Sequence, residues 1–156
     1  MGNTYSRIVL HLVFAVRHRE ALIKAEFREE LQMVMSGLVR HLGQKMLAIY
    51  CMPDHAHLLI SYRPSIPIPE LVMQIKVASM QFVREKHLTR RPFQWQNGYG
   101  VISCNADRLD GIIAYINNQE EHHRKQKFIA EYREMLEKFE IEYDSRYLFD
   151  DLSESV

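Results

Sequence analysis

The chain has only two cysteines, Cys51 and Cys104, and no CxxC pair. A disulfide scaffold is excluded, and free thiols in a reducing cytoplasm are expected. There is no HExxH motif, and neither cysteine has a close partner, so a structural zinc site has little to stand on. Six glycines and five prolines in 156 residues exclude a collagen. No run of 18 apolar residues is present, which excludes a spanning helix. The opening residues Met1 to Arg7 lack a basic region leading into an unbroken apolar stretch, because His11 and Arg17 interrupt the apolar residues beyond them. No signal peptide is expected, and a cytoplasmic location is.

The residues present describe an ordinary globule, with 47% apolar and 26% charged residues. The length suits one domain over residues 1–156, able to bury roughly two-thirds of the surface its unfolded chain exposes. The formal charge of zero hides an asymmetry. Residues 1–128 carry 17 Lys and Arg against 11 Asp and Glu, a net of +6, and residues 129–156 carry 3 against 9, a net of −6. The last 28 residues therefore read as an acidic C-terminal extension. Within the body, Lys76, Arg84, Lys86, Arg90 and Arg91 stand against Glu85 alone. Such a stripe suits a phosphate backbone, and it equally suits a solvated helix face.

The hydrophobic pattern yields an element order. Residues 5–16 are β-branched and apolar and predict a central strand. Phe27, Leu31, Val34, Met35, Leu38 and Leu42 predict a helix over 26–42, stopped by Gly43. Residues 46–52 and 55–62 predict a hairpin turning at or just before Pro53-Asp54. Pro69 suits the first turn of a helix over 69–87. Residues 93–104, broken by Asn97-Gly98, predict one or two short strands. A helix is predicted over 106–126 with Leu109, Ile112, Ile113 and Ile116 as its stripe, and helix continues over 127–140. The expected fold is α+β: a ferredoxin-like, split βαβ antiparallel sheet with helices on one face.

Two constellations could carry chemistry. His55 and His57 sit two apart on a strand, so both rings face one way, about 7 Å apart along the chain. Two imidazoles so placed can converge on one cation. The pattern also fits two ordinary histidines on a half-buried strand. Tyr115 and Gln119, at i and i+4, project together about 100° from the apolar stripe of their helix, with Gly111 one turn before. A surface Tyr–Gln pair has the same spacing. The segment Trp95-Gln96-Asn97-Gly98-Tyr99-Gly100 marks a tight turn beside aromatic anchors, which pack into a core or stack on bases.

Taken in order, these segments resemble a family. Met52-Pro53-Asp54-His55-Ala56-His57-Leu58-Leu59-Ile60, Gln74-Ile75-Lys76 with Ser79, Trp95-Gln96-Asn97-Gly98-Tyr99-Gly100 through Ser103, and Tyr115-Ile116-Asn117-Asn118-Gln119-Glu120-Glu121-His122-His123 are similar to the single-tyrosine HUH transposases of bacterial insertion sequences. Their domesticated relatives acting on repetitive palindromes share the pattern, which runs over roughly residues 5–130. The resemblance implies a metal-dependent transposase acting on single-stranded DNA. His55, His57 and Gln119 would hold Mg²⁺ or Mn²⁺. Tyr115, expected on the C-terminal helix, would attack a DNA phosphate, leaving a 5′-phosphotyrosine and a free 3′-OH. It also implies recognition of a DNA hairpin by a homodimer. Lys76, Ser79, Arg84, Lys86, Arg90 and Arg91 are candidate DNA contacts, of which the motif supports Lys76 and charge supports most of the rest. Two other classes stay open. One is a nucleic-acid binding module without catalysis, which would keep its function in Tyr115→Phe. The other is a zinc protein using His55, His57, His122, His123 or the cysteines.

Overall fold

A computed structural model describes residues 3–121 and 127–144. Four strands, β1 (Ile8–Ala15), β2 (Lys45–Cys51), β3 (His55–Tyr62) and β4 (Gly100–Cys104), form one antiparallel sheet in the order β2-β3-β1-β4. Helix α1 (Ala25–His41) joins β1 to β2, and α2 (Ile68–Glu85) joins β3 to β4. This is the split βαβ arrangement. Helix α3 (Leu109–Asn117) follows β4, and α4 (Phe128–Lys138) follows α3.

Alternation along the strands divides the side chains between two faces. Leu12 and Phe14 of β1, with Ala56, Leu58 and Ile60 of β3, meet Phe27, Leu31, Met35 and Val39 of α1 and Leu71, Val72, Ile75 and Val83 of α2. The spacing of 27, 31, 35 and 39 is the i, i+4 stripe that lets one helix face cover a sheet. Gly43, in the left-handed region at φ 79°, closes α1, with its amide donating to the Arg40 carbonyl and the Gln44 amide to that of Val39.

The opposite face is covered too. Val9, Ala48 and Leu59 pack against Ile116, with Leu109, Ile112 and Ile113 around them. Val13 and Ala15 pack under Phe128, Tyr132 and Leu136 of α4. The first six residues of β3 are consequently all buried.

Several boundaries differ from the sequence pattern. The helix predicted over 106–126 ends at Asn117, where Asn118 leaves helical backbone at φ −108°, ψ 29° and caps the carbonyls of Ala114 and Tyr115. A separate α4 begins after Lys127, which is extended at φ −69°, ψ 149°. The helix bearing Tyr115 is thus not the last, and the acidic segment contains a helix docked on the sheet. In the segment 93–104, regular pairing is confined to β4, preceded by a single bridge between Trp95 and Val16.

Candidate active site

The β2–β3 hairpin aims the first histidine. It turns through Pro53-Asp54, with the Met52 amide donating to the His55 carbonyl at 2.8 Å. The Asp54 carboxylate then lies beside the next ring, with Oδ1 2.7 Å from His55 Nδ1. Burial alone would push Asp54 up, but the His55 hydrogen bond and the charges of His55 and Arg19 outweigh it and hold its carboxyl below the usual range. An ionised carboxylate only accepts, so the proton sits on His55 Nδ1 and Nε2 is turned the other way.

The neighbouring strand aims the second. Val13 of β1 stands opposite His57, and His11 lies two residues on, on the same face. His11 Nε2 and His57 Nδ1 are 2.9 Å apart, one ring donating to the other. Burial first, and then the nearby His57, pushes His11 down to about 3, so it is neutral at ordinary pH. His57 Nε2 lies 3.2 Å from Glu131 Oε1 on α4. The Phe128 ring, one turn earlier on that helix, stacks flat on His55 at 3.5 Å and 3°. His55, His57 and Glu131 are all buried and offer ligand atoms within 4.8 Å of one another, a group that could hold a metal ion.

Helix α3 lays Tyr115 over this cluster. Its ring stands perpendicular to His57 at 5.9 Å between centroids, and 6.4 Å from His11. Burial, then the Glu131 charge, raises the phenol well above its ordinary value, while a hydrogen bond with Gln119 works in the opposite direction. Gln119 is fully buried, and its Nε2 donates to the Tyr115 carbonyl at 3.1 Å. The structure therefore brings Tyr115, Gln119, His55 and His57 together, although a helix break separates the first two. Beside them opens a cleft of about 800 Å³ bordered by His11, Tyr115, Glu131, Asn105, Arg108 and Gly111.

The six candidate DNA contacts lie elsewhere, on α2 and the segment after it, across the sheet from the histidines. Lys76 Nζ donates to the carbonyls of Gln96 at 2.8 Å and Gly98 at 2.6 Å. Ser79 is fully buried, donates to the Ile75 carbonyl and accepts the Trp95 indole N–H at 2.8 Å. It offers no surface to a strand. Arg84 Nε donates to the Phe93 carbonyl at 2.9 Å. These three tie residues 93–98 to α2. Arg91 meets Glu20 at 3.1 Å, and Lys86 and Arg90 are exposed. His122 and His123 lie outside the described residues.

The pattern reading missed His11, Asp54, Phe128 and Glu131. His11 carries a readable signal, since it alternates with Val9 and Val13 on the face that β3 shares. Glu131 carries no such signal, being one of nine acidic residues over 129–156.

The sequence profile of the IS200-like transposases matches residues 4–119. The chain belongs to that family. The ISDra2 transposase TnpA of Deinococcus radiodurans is 27% identical over 123 residues, covering 76% of this chain and 87% of the relative. A crystal structure from Deinococcus radiodurans, assigned as a transposase, is 26% identical with a TM-score of 0.61, over 76% of this chain and 95% of the other. A REP-associated tyrosine transposase bound to a REP hairpin shares the fold, with a TM-score of 0.57 at 16% identity, over 79% of this chain and 73% of its own. Membership makes this family member an enzyme of the class that cleaves and transfers DNA. Helix α4 falls beyond the matched span. No helix among the described residues is long and apolar enough to cross a membrane.

Proposed function

We propose that the protein cleaves single-stranded DNA with Tyr115 and rejoins it elsewhere. The observation that carries this reading is a tyrosine standing over two buried histidines whose orientations are fixed from behind, at the edge of an open cleft. Asp54 turns His55 Nε2 inward, and His11 fixes the ring of His57. That arrangement can hold a divalent ion, which the family resemblance gives as Mg²⁺ or Mn²⁺, with His55 and His57 as ligands and Gln119 as the third. When bound, the ion supplies positive charge at the scissile phosphate and stabilises charge developing on it.

The residues divide the remaining work. Burial keeps Tyr115 protonated in the resting enzyme. On attack, the Tyr115 Oη–P bond forms, the P–O3′ bond breaks and the phenolic proton passes to water, while water returns a proton to the departing 3′-oxygen. The 5′-phosphotyrosine conserves the phosphodiester bond energy, so a second 3′-OH can reverse the step without ATP. The cleft beside Tyr115 admits an unpaired strand. Arg84, Lys86, Arg90 and Arg91 are all exposed, but Arg84 is engaged by the Phe93 carbonyl and Arg91 by Glu20, so Lys86 and Arg90 are the backbone contacts left for a hairpin stem. Pairing of two copies falls to the outer edges of β2 or β4, because β1 is interior to the sheet. A cytoplasmic homodimer acting at nucleoid DNA completes this reading.

The test is a denaturing gel of the protein mixed with Mn²⁺ and oligonucleotides from both flanks of its own gene. A covalent adduct is expected, absent in Tyr115→Phe and in His57→Ala. Hairpin binding without an adduct would instead mark a non-catalytic or domesticated nucleic-acid binder.

A further inference from the structure

We propose that Glu131 is a carboxylate ligand of the divalent ion, supplied by a helix beyond the residues 4–119 that the family profile matches. The inference rests on the metal reading above and adds a residue that reading does not use.

Glu131 Oε1 is 3.2 Å from His57 Nε2. Two ligand atoms about 2.1 Å from one ion lie about 3.0 Å apart at a right angle and about 3.4 Å apart at a tetrahedral one. The observed separation falls between these values. His55 belongs to the same cluster, with its ligand atom within 4.8 Å of the other two. The proton on His55 Nδ1 is committed to Asp54, which leaves Nε2 as an electron-pair donor. Ligation through His57 Nε2 would fix its other proton on Nδ1, aimed at His11 Nε2 2.9 Å away. Each imidazole thus has an oxygen or nitrogen partner behind it, the second layer that orients histidine ligands.

The setting of the carboxylate points the same way. Glu131 is only 5% exposed and shares a hydrogen bond with Tyr115, and a positive ion beside a carboxylate withdrawn from water stabilises it further. The register of α4 is held at this point by Phe128, which is at i−3 on the same helical face and stacks on His55. The ion would therefore join β3 to α4 as well as to Gln119 after α3. A carboxylate in place of a fourth neutral donor strengthens binding through its charge.

The test is isothermal titration of the metal-stripped full chain with Mn²⁺ alone, for wild type, His55→Ala and Glu131→Gln. Binding is expected in wild type and absent in His55→Ala. Weakening by about tenfold or more is expected in Glu131→Gln, in line with the loss of one charged ligand. Equal affinity in Glu131→Gln and wild type would overturn the role of Glu131 and leave the histidine site standing. No binding to wild type would overturn both. Should Glu131→Gln fail to fold, hydrogen exchange on the wild type decides. Mn²⁺ is expected to slow exchange over residues 128–138, and unchanged exchange there would overturn the proposal.

Discussion

Lys76→Met separates two roles for a lysine that the family motif marks and the structure occupies. Its ammonium donates to two carbonyls, of Gln96 and Gly98, at 2.8 and 2.6 Å, and its nitrogen lies 5.5 Å from the centre of the Phe14 ring. Burial lowers Lys76 to about 8. A charge-assisted hydrogen bond contributes about 1.5–3 kcal/mol when buried, and half-buried bonds whose acceptors regain water contribute less. Methionine keeps most of the stem on the ring and removes both bonds, so the expected loss is about 1–2 kcal/mol. For a chain of this size that lowers the melting temperature by about 2–8 °C. Hairpin affinity, measured by anisotropy across a salt series, should keep its slope, because an ammonium spent on carbonyls neutralises no phosphate. Lys86→Met should do the reverse, melting like wild type while the slope of log K against log salt falls by about 0.9. If Lys76→Met melts like wild type and loses that slope, the staple is wrong and Lys76 is a phosphate contact.

Ser79→Ala removes the acceptor of a buried indole N–H and should cost about 1–3 kcal/mol in a urea melt followed by the single tryptophan; a change within about 0.5 kcal/mol would mean the bond is dispensable. Burial pushes Tyr132 up to about 12. An unfolded tyrosine ionises near 10, so the native state holds a proton the unfolded state releases, and stability is lost as pH rises through 10 to 12. Tyr132→Phe should be spared this loss, and denaturant midpoints that fall in parallel for both proteins would refute it. Burial also pushes the Cys51 thiol up to about 12. A thiol reagent at pH 8 should label Cys104 in the native protein and Cys51 only on unfolding, as read by peptide mass; equal labelling rates would contradict the packing of Cys51.

The parts of this fold that sequence made legible are those governed by local periodicity. The continuous apolar run of β1 marked it as a central strand, and the period-two spacing of β3 set His55 and His57 on one side. The i, i+4 stripes of α1 and α2 emerged within two residues of their ends. The helix break at Asn118 was hidden because Asn tolerates helical backbone, and no Gly or Pro marks the spot. Lys76, marked by the motif, and Ser79 beside it were read as DNA contacts, yet they bond to carbonyls and an indole 16 to 22 residues away. Such long-range bonds leave no periodic trace. Glu131 was hidden for a related reason: it sits in a segment of nine acidic residues, where one buried carboxylate looks like its exposed neighbours until the helix is docked.

The burial of β3 on both faces has a consequence for how this enzyme can change. Ala56, Leu58 and Ile60 fill the interior beneath α1 and α2, while His55 and His57 alternate with them on the same backbone. A strand cannot shift for one set of side chains and stay still for the other. Any substitution that lets the hydrophobic layer settle would tilt both imidazoles together. Variants that gain stability without disturbing the chemistry should therefore accumulate on the solvent side of α1 and α2, leaving β3 the slowest-drifting stretch of the chain.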